Sequence, residues 1–180
     1  MGPRAILTYP DPRLRMRSRP VDSFGPDLAR LVDELIDTMH AARAIGLAAP
    51  QLDVHLRVLT LDVSEGRVRP EVFINPEVLA RGSPGMVEES CLSVPGIVAS
   101  VPRATRVQVR TADRSGNVSV RELEGQSAVC LLHEIDHLDG TLFIDRLPFF
   151  ERRRVRRQLE STATPGRLEA PSPPGQARRG

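Results

Sequence analysis

Apolar positions along the 180-residue chain recur with two periods, and together they predict its elements. Leu28, Leu31, Val32, Leu35, Ile36 and Met39 fall at helical spacing. They follow Pro26, which suits a first helical turn, and so predict a helix with one apolar face. Ala128, Val129, Leu131, Leu132, Ile135 and Leu138 predict a second, mostly buried helix over 126–137, stopped by Gly140. Alternation of period two appears in TRVQVRT and NVSVREL, joined by a turn at 112–116, and predicts a hairpin. HLRVLTLDV, with Leu56, Val58 and Val63, reads as a partly buried strand, and EVFINPEVLA as a strand broken at Asn75-Pro76. TLFIDRL reads as a short strand, after which Pro148 opens a basic helix, FFERRRVRRQLE. TYPDPRLRMRSRP, with three prolines, predicts an irregular N-terminal arm, and AIGLAAPQ a loop.

Strands thus dominate the middle and helices the ends. The pattern predicts an α+β fold, with antiparallel β-sheets packed around the helix at 126–137 and a C-terminal helix. Residues 1–160 form a single domain in this reading. Residues 161–180, rich in Pro, Gly and Ser with little to bury, form a tail expected to be disordered.

Composition changes this picture at few points. Aromatic residues are only 3%, so aliphatic side chains must fill the core, and a net charge of +2 does not support nucleic-acid binding by the whole domain. Two cysteines and a start, MGPRAI, without an apolar leader predict a reducing, cytoplasmic setting. No apolar run reaches the length of a membrane span.

Candidate chemistry lies on the second helix, in LHEIDH (132–137). Residues four apart share a helix face, so His133 and His137 can converge on one metal ion with Glu134 beside it. Imidazoles and carboxylates on a buried helix need partners, and a cation is one. A catalytic site of this kind takes a third protein ligand. Cys130 lies roughly 10 Å along the helix axis from His137, at about 1.5 Å per residue, too far for a short side chain. Cys91, from another segment, can approach across the site. A third histidine in the extended metalloprotease spacing is absent, since position 143 is Phe, and Glu151 and Glu160 fall in the basic helix. Cys91 is the better candidate.

AIGLAAPQ (44–51), EESCLSVPG (88–96) and HEIDH (133–137) resemble, in order and sequence, the three signature motifs of the peptide deformylases, GxGxAAxQ, EGCLS and HExDH. The resemblance covers most of residues 5–160, including DPRLR, INPE and HLDGTLFIDRL, and looks like the bacterial form. It implies hydrolysis of the N-formyl group from the N-terminal formylmethionine of new polypeptides, with release of formate. Cys91, His133 and His137 would hold one divalent ion, Fe(II) by resemblance, with Zn, Ni or Co also accepted. Glu134 would move the proton, while Gln51 and the backbone N–H of Leu92 would hold the formyl oxygen. Ile45, Val129, Cys130 and His133 would form the methionine pocket, and backbone groups of Ile45, Gly46 and Ser90 would align the peptide. Simple core packing accounts equally well for Cys130.

Three positions depart from the motifs: Ala44 and Ser90 replace glycines, and Leu132 stands where many members have Gln. Were a left-handed conformation needed at 44 or 90, a Cβ would cost roughly 1–2 kcal/mol. Asp136 is expected to pair with Arg103 and so orient the metal helix. The family resemblance further implies a monomer whose arginine-rich C-terminal helix docks near the ribosomal exit tunnel. Two rivals remain: a catalytically weak homologue serving as a ribosome-associated binding protein, and another HExxH metallohydrolase.

Overall fold

The computed structural model describes residues 2–162 and 167–168. Five antiparallel strands make the main sheet: β2 (Gly46–Ala48), β3 (Val58–Leu61), β4 (Glu71–Arg81), β7 (Arg106–Ala112) and β8 (Val118–Glu124), in the order β2-β3-β4-β7-β8. A long hairpin, β5 (Pro84–Cys91) and β6 (Val94–Ala104), stands apart from this sheet, and a short pair joins β1 (Ile6–Leu7) to β9 (Arg167–Leu168). The helices are α1 (Pro26–Ala41), α2 (Gly125–Leu138) and α3 (Phe149–Thr162).

Side-chain alternation along the sheet divides the core. In β3, Val58 joins the cluster under α1 (Leu28, Val32, Leu35, Met39), whereas Leu59 and Leu61 join the cluster under α2 (Leu131, Leu132, Ile135, Leu138). Covered on both faces, β3 is buried at all four positions. A third cluster seats the β5–β6 hairpin on Phe143, Ile144 and α3 through Val94, Val101, Val155 and Leu159. The α+β fold expected from the sequence is the one observed, with α2 held between sheet and hairpin.

Several elements differ from expectation. TLFIDRL forms a 3-10 turn (Phe143–Arg146), not a strand. Asp145 closes it, accepting the Leu142 N–H on its side chain (2.9 Å), and Leu142, Phe143 and Ile144 are all buried. β4 continues through Asn75-Pro76 as a bulge. Asn75 takes a φ of 51°, and its amide pins the N-terminal arm at the N–H and carbonyl of Val21. The AIGLAAPQ segment contains β2 and a 3-10 turn (Ala49–Leu52). The β5–β6 hairpin was not expected at all. In the proposed tail, residues 161–162 complete α3 and 167–168 form β9; the rest lie outside the described residues.

Candidate metal centre and cleft

Three elements meet at the site. α2 projects His133, Glu134 and His137, the end of β5 supplies Glu89 and Cys91, and the 3-10 turn after β2 supplies Gln51. A register shift between Ser90 and Cys91 breaks the hairpin's alternation just where Cys91 leaves it. Ligand atoms of Cys91, His133 and His137 then lie within 4.8 Å of one another, with Cys91 Sγ 3.2 Å from His137 Nε2. Cys130 is outside this set.

One divalent cation fits these residues. A thiolate with two imidazoles suits Fe(II), Zn and their neighbours. The His133 Nδ1 is taken by Glu89 Oε2 (2.8 Å), leaving Nε2 for an ion. Burial holds the His137 pKa well below its usual value, the direction that favours a neutral ligating ring; burial would lower His133 too, but hydrogen bonds and charge from Cys91 and Glu89 raise it. The buried Glu134 Oε2 has no hydrogen-bond partner among the described residues, and burial pushes this carboxyl up to about 7. A carboxyl poised near neutrality can both take and give a proton.

Behind the ligands runs a buried charge network. Arg103 grips Glu89 with Nε and Nη2 (2.5 and 3.0 Å) and donates to Asp136 through Nη1 (2.6 Å). Arg146 holds the same Asp136 with Nε and Nη2 (2.6 and 2.5 Å). The expected Asp136–Arg103 pair is therefore present, inside a larger set that links β5, β6, α2 and the 3-10 turn. Burial alone would raise the Glu89 carboxyl, but hydrogen bonds from His133 and Arg103 outweigh it and hold the pKa at about 2. Sequence reasoning missed Glu89 as the His133 partner, although it stands two residues before Cys91. Arg146 carried no signal of any kind.

A cleft of about 1000 Å³ opens onto this centre. Every residue expected to bind metal, substrate or the formyl oxygen, or to move the proton, lines it except His137, which lies deeper: Ile45, Gly46, Gln51, Ser90, Cys91, Leu92, Val129, Cys130, His133 and Glu134. Gln51 accepts the Ala48 N–H on Oε1 (2.9 Å), which turns its NH₂ towards Ser93 Oγ (3.1 Å) and Cys91 Sγ (3.9 Å). Cys130 packs its Sγ on the Ile45 carbonyl (3.5 Å) while also belonging to the α2 core, so pocket wall and core residue are both true of it. A Cβ on Gly46 would stand 2.5 Å from Glu134 Oε1 and 2.6 Å from Cys130 Sγ, so any side chain there must displace one of these groups.

A description of the polypeptide deformylases matches residues 3–153. The chain belongs to the polypeptide deformylase family. It is 46% identical over 173 residues to a peptide deformylase of Alkalilimnicola ehrlichii, covering 96% of this chain and 97% of that one. With a peptide deformylase of Hahella chejuensis it shares 47% over 161 residues, or 89% and 96% of the two chains. The crystal structure of a deformylase from Legionella pneumophila superposes with a TM-score of 0.84 at 42% identity, over 89% of this chain and 95% of that one. A deformylase from Ehrlichia chaffeensis, solved in complex with actinonin, also gives 0.84, at 35% identity and 91% and 100% coverage.

The departures from the deformylase motifs are accommodated. Neither Ala44 nor Ser90 is among the residues with positive φ, so their Cβ atoms strain no backbone. Leu132 is buried in the α2 core, packed with the sheet.

Proposed function

We infer that the protein is an active metal-dependent deformylase, hydrolysing the formyl group from N-terminal formylmethionine and releasing formate. The observation that carries this reading is the buried Glu134 carboxyl beside the Cys91/His133/His137 set, facing a cleft that Gln51 also lines, with its NH₂ turned towards Ser93 Oγ and Cys91 Sγ.

Cys91, His133 and His137 would hold one divalent ion, which would supply Lewis acidity at the formyl carbonyl and lower the pKa of water enough to give hydroxide near neutral pH. Glu134 takes the proton of the attacking water and delivers it to the methionyl nitrogen, which leaves only when protonated. Charge developing on the formyl oxygen is met by the Gln51 NH₂ and the Leu92 N–H, donors of a kind typically worth about 2.7–4 kcal/mol each. Backbone groups of Ile45, Gly46 and Ser90 orient the peptide. Ile45, Val129, Cys130 and the His133 ring receive the methionine side chain. Because Glu89 fixes the His133 tautomer and Arg103 fixes Glu89, the site is organised before substrate arrives.

Fe(II) is the expected ion by family resemblance; metal analysis after anaerobic purification tests this against Zn, Ni and Co. We further assign the reaction to a monomer of one catalytic domain, residues 1–160, in the cytoplasm. No helix among the described residues is long and apolar enough to cross a membrane. α3, with Arg153, Arg154 and Arg157 exposed, is assigned to ribosome docking.

The deciding experiment offers metal-replete protein formyl-Met, acetyl-Met and internal-peptide substrates. Formate release from the first alone, abolished in Glu134→Gln, is the expected result. Cleavage of internal bonds would instead indicate a protease, and no turnover would indicate a binding protein.

A further inference from the structure

Two arginines, Arg43 and Arg67, line the substrate cleft but have no part in the reaction above. Both also line an adjoining cavity of about 480 Å³, together with His40, Ser64 and Gly66. Arg43 stands two residues before Ile45, on the segment that leads into β2. It ends α1 in the left-handed conformation (φ 55°), with the Ala44 N–H returning to the Met39 carbonyl (3.0 Å). Arg67 (φ 54°) follows Gly66 in the turn between β3 and β4. Each therefore occupies a backbone position where glycine or asparagine is the easier residue.

Charge pairing sets them apart from many other arginines, and position in the cleft from the remaining unpaired ones. Many arginines of this chain meet carboxylates, as Arg4 meets Glu34, Arg57 meets Asp139 and Arg114 meets Asp33. Arg43 and Arg67 have no ion pair or side-chain hydrogen bond among the described residues. The acid close by, Asp62, is already engaged by His40 Nε2 (3.0 Å), Ser64 Oγ (2.5 Å) and the Ser64 N–H (3.2 Å). Two uncompensated guanidiniums in one cleft wall attract an anion, and guanidinium matches the planar geometry of a carboxylate.

We propose that Arg43 and Arg67 form an anionic subsite that reads a carboxylate on the formylated peptide, downstream of its methionine. This rests on the deformylase reading: a peptide aligned along Ile45 and Gly46 passes Ala44 and Arg43 as it leaves the metal centre. Glu88, from β5, lines the same cleft and repels an acid near it, so the preference falls on substrate positions facing the arginines. The carboxylate is an Asp or Glu side chain or, in a short peptide, the C-terminus.

The test uses amidated formyl-Met peptides carrying Glu, Gln or Lys at the third or fourth residue, with free-acid forms for comparison. Glu is expected to exceed Gln by roughly three- to tenfold in kcat/KM, through KM, at one position or more. The advantage should shrink at about 0.5 M salt, and Lys should fall below Gln. In the Arg43→Gln/Arg67→Gln double variant the Glu-to-Gln ratio should fall to about one. An advantage seen only with the free acid assigns the subsite to the main-chain carboxylate. Equal rates for Glu and Gln at low salt, with no advantage for the free acids either, overturn the proposal in wild-type protein alone, without recourse to a variant. So does a preference that the double variant keeps, or competition by inorganic phosphate or a short RNA with no Glu preference. Hydrolysis of the neutral Gln peptide reports separately on the deformylase reading.

Discussion

α2 and α3 are both 14 residues long, and they place polar side chains in opposite environments. Nine residues of α2 are buried, among them Glu134, Asp136 and His137. α3 buries Val155 and Leu159, while Phe149, Phe150 and most of its arginines face solvent. On α2, Asp136 and His133 are held by partners, while His137 Nδ1 and Glu134 Oε2 have none among the described residues, and the carboxyl oxygen remains over for chemistry. On α3, Arg152 and Arg156 reach Asp145, while Arg153, Arg154 and Arg157 are left to water, where their charges impose no arrangement. Burial thus turns a polar residue into a structural commitment, and function on α2 depends on that.

The comparison is broken most severely at Glu134. Glu134→Gln keeps the volume and removes the proton shuttle, so kcat should fall by roughly 10²–10⁴ while metal content per chain stays unchanged. Loss of the metal as well would show that Glu134 holds the site together instead of serving the reaction. Gly46→Ala tests the same carboxyl by space alone. The new methyl must displace Glu134 Oε1 or Cys130 Sγ, and displacement of a reacting group by about 1 Å is worth roughly 10² in rate. Full activity in that variant would mean that the wall formed by Gly46 yields readily.

Asp136→Asn strikes the network behind the ligands. Two guanidiniums, of Arg103 and Arg146, would lose their shared carboxylate, the first of them deeply buried. Metal affinity should weaken by about 10–100-fold in chelator competition, and denaturation should show a loss of about 3–5 kcal/mol. If both measurements matched wild type, Asp136 would not orient the metal helix.

The helices also differ in how far the sequence announced them. α1 and α2 were legible because their apolar residues recur every three or four positions and Pro26 and Gly140 mark boundaries. The β7–β8 hairpin was legible from alternating valines. The β5–β6 hairpin was hidden by Pro84, Gly85, Pro95, Gly96 and Pro102, which read locally as loop, although pairing over the whole length overrides them. TLFIDRL carries β-branched and aromatic residues, yet the Asp145 side chain closes a 3-10 turn that no periodicity encodes. At the site, the histidines were legible from spacing and Cys91 from its reach, reinforced by the family motifs. The Glu89–Arg103–Asp136–Arg146 network joins residues up to 33 positions apart, and its two arginines look like any others in a chain whose only strong base is arginine.

Truncation separates the helices less cleanly than substitution. Removing residues 149–180 would strip Val155 and Leu159 from the third core cluster, confusing stability with docking. Leu159→Ala should cost about 2–5 kcal/mol in chemical denaturation, yet leave kcat of the folded enzyme intact, because no residue of α3 lines the cleft. A matching fall in kcat at temperatures where the variant is fully folded would tie α3 to the metal centre.

The smallest intrinsic effect is expected from the solvated face of α3. Arg153→Gln/Arg154→Gln/Arg157→Gln removes three exposed charges and no core contact. Unfolding free energy should move by no more than about 0.5 kcal/mol per site, and kcat/KM on free formyl-Met peptides should not change. Only a polyanion would register the loss. Co-sedimentation with ribosomes should weaken, and its dependence on salt should become shallower, since each guanidinium paired with a phosphate releases roughly one counterion. Altered peptide hydrolysis would contradict the separation of α2 and α3. Unaltered co-sedimentation would leave that separation intact and remove docking from α3, making its arginines a solvated face and nothing more.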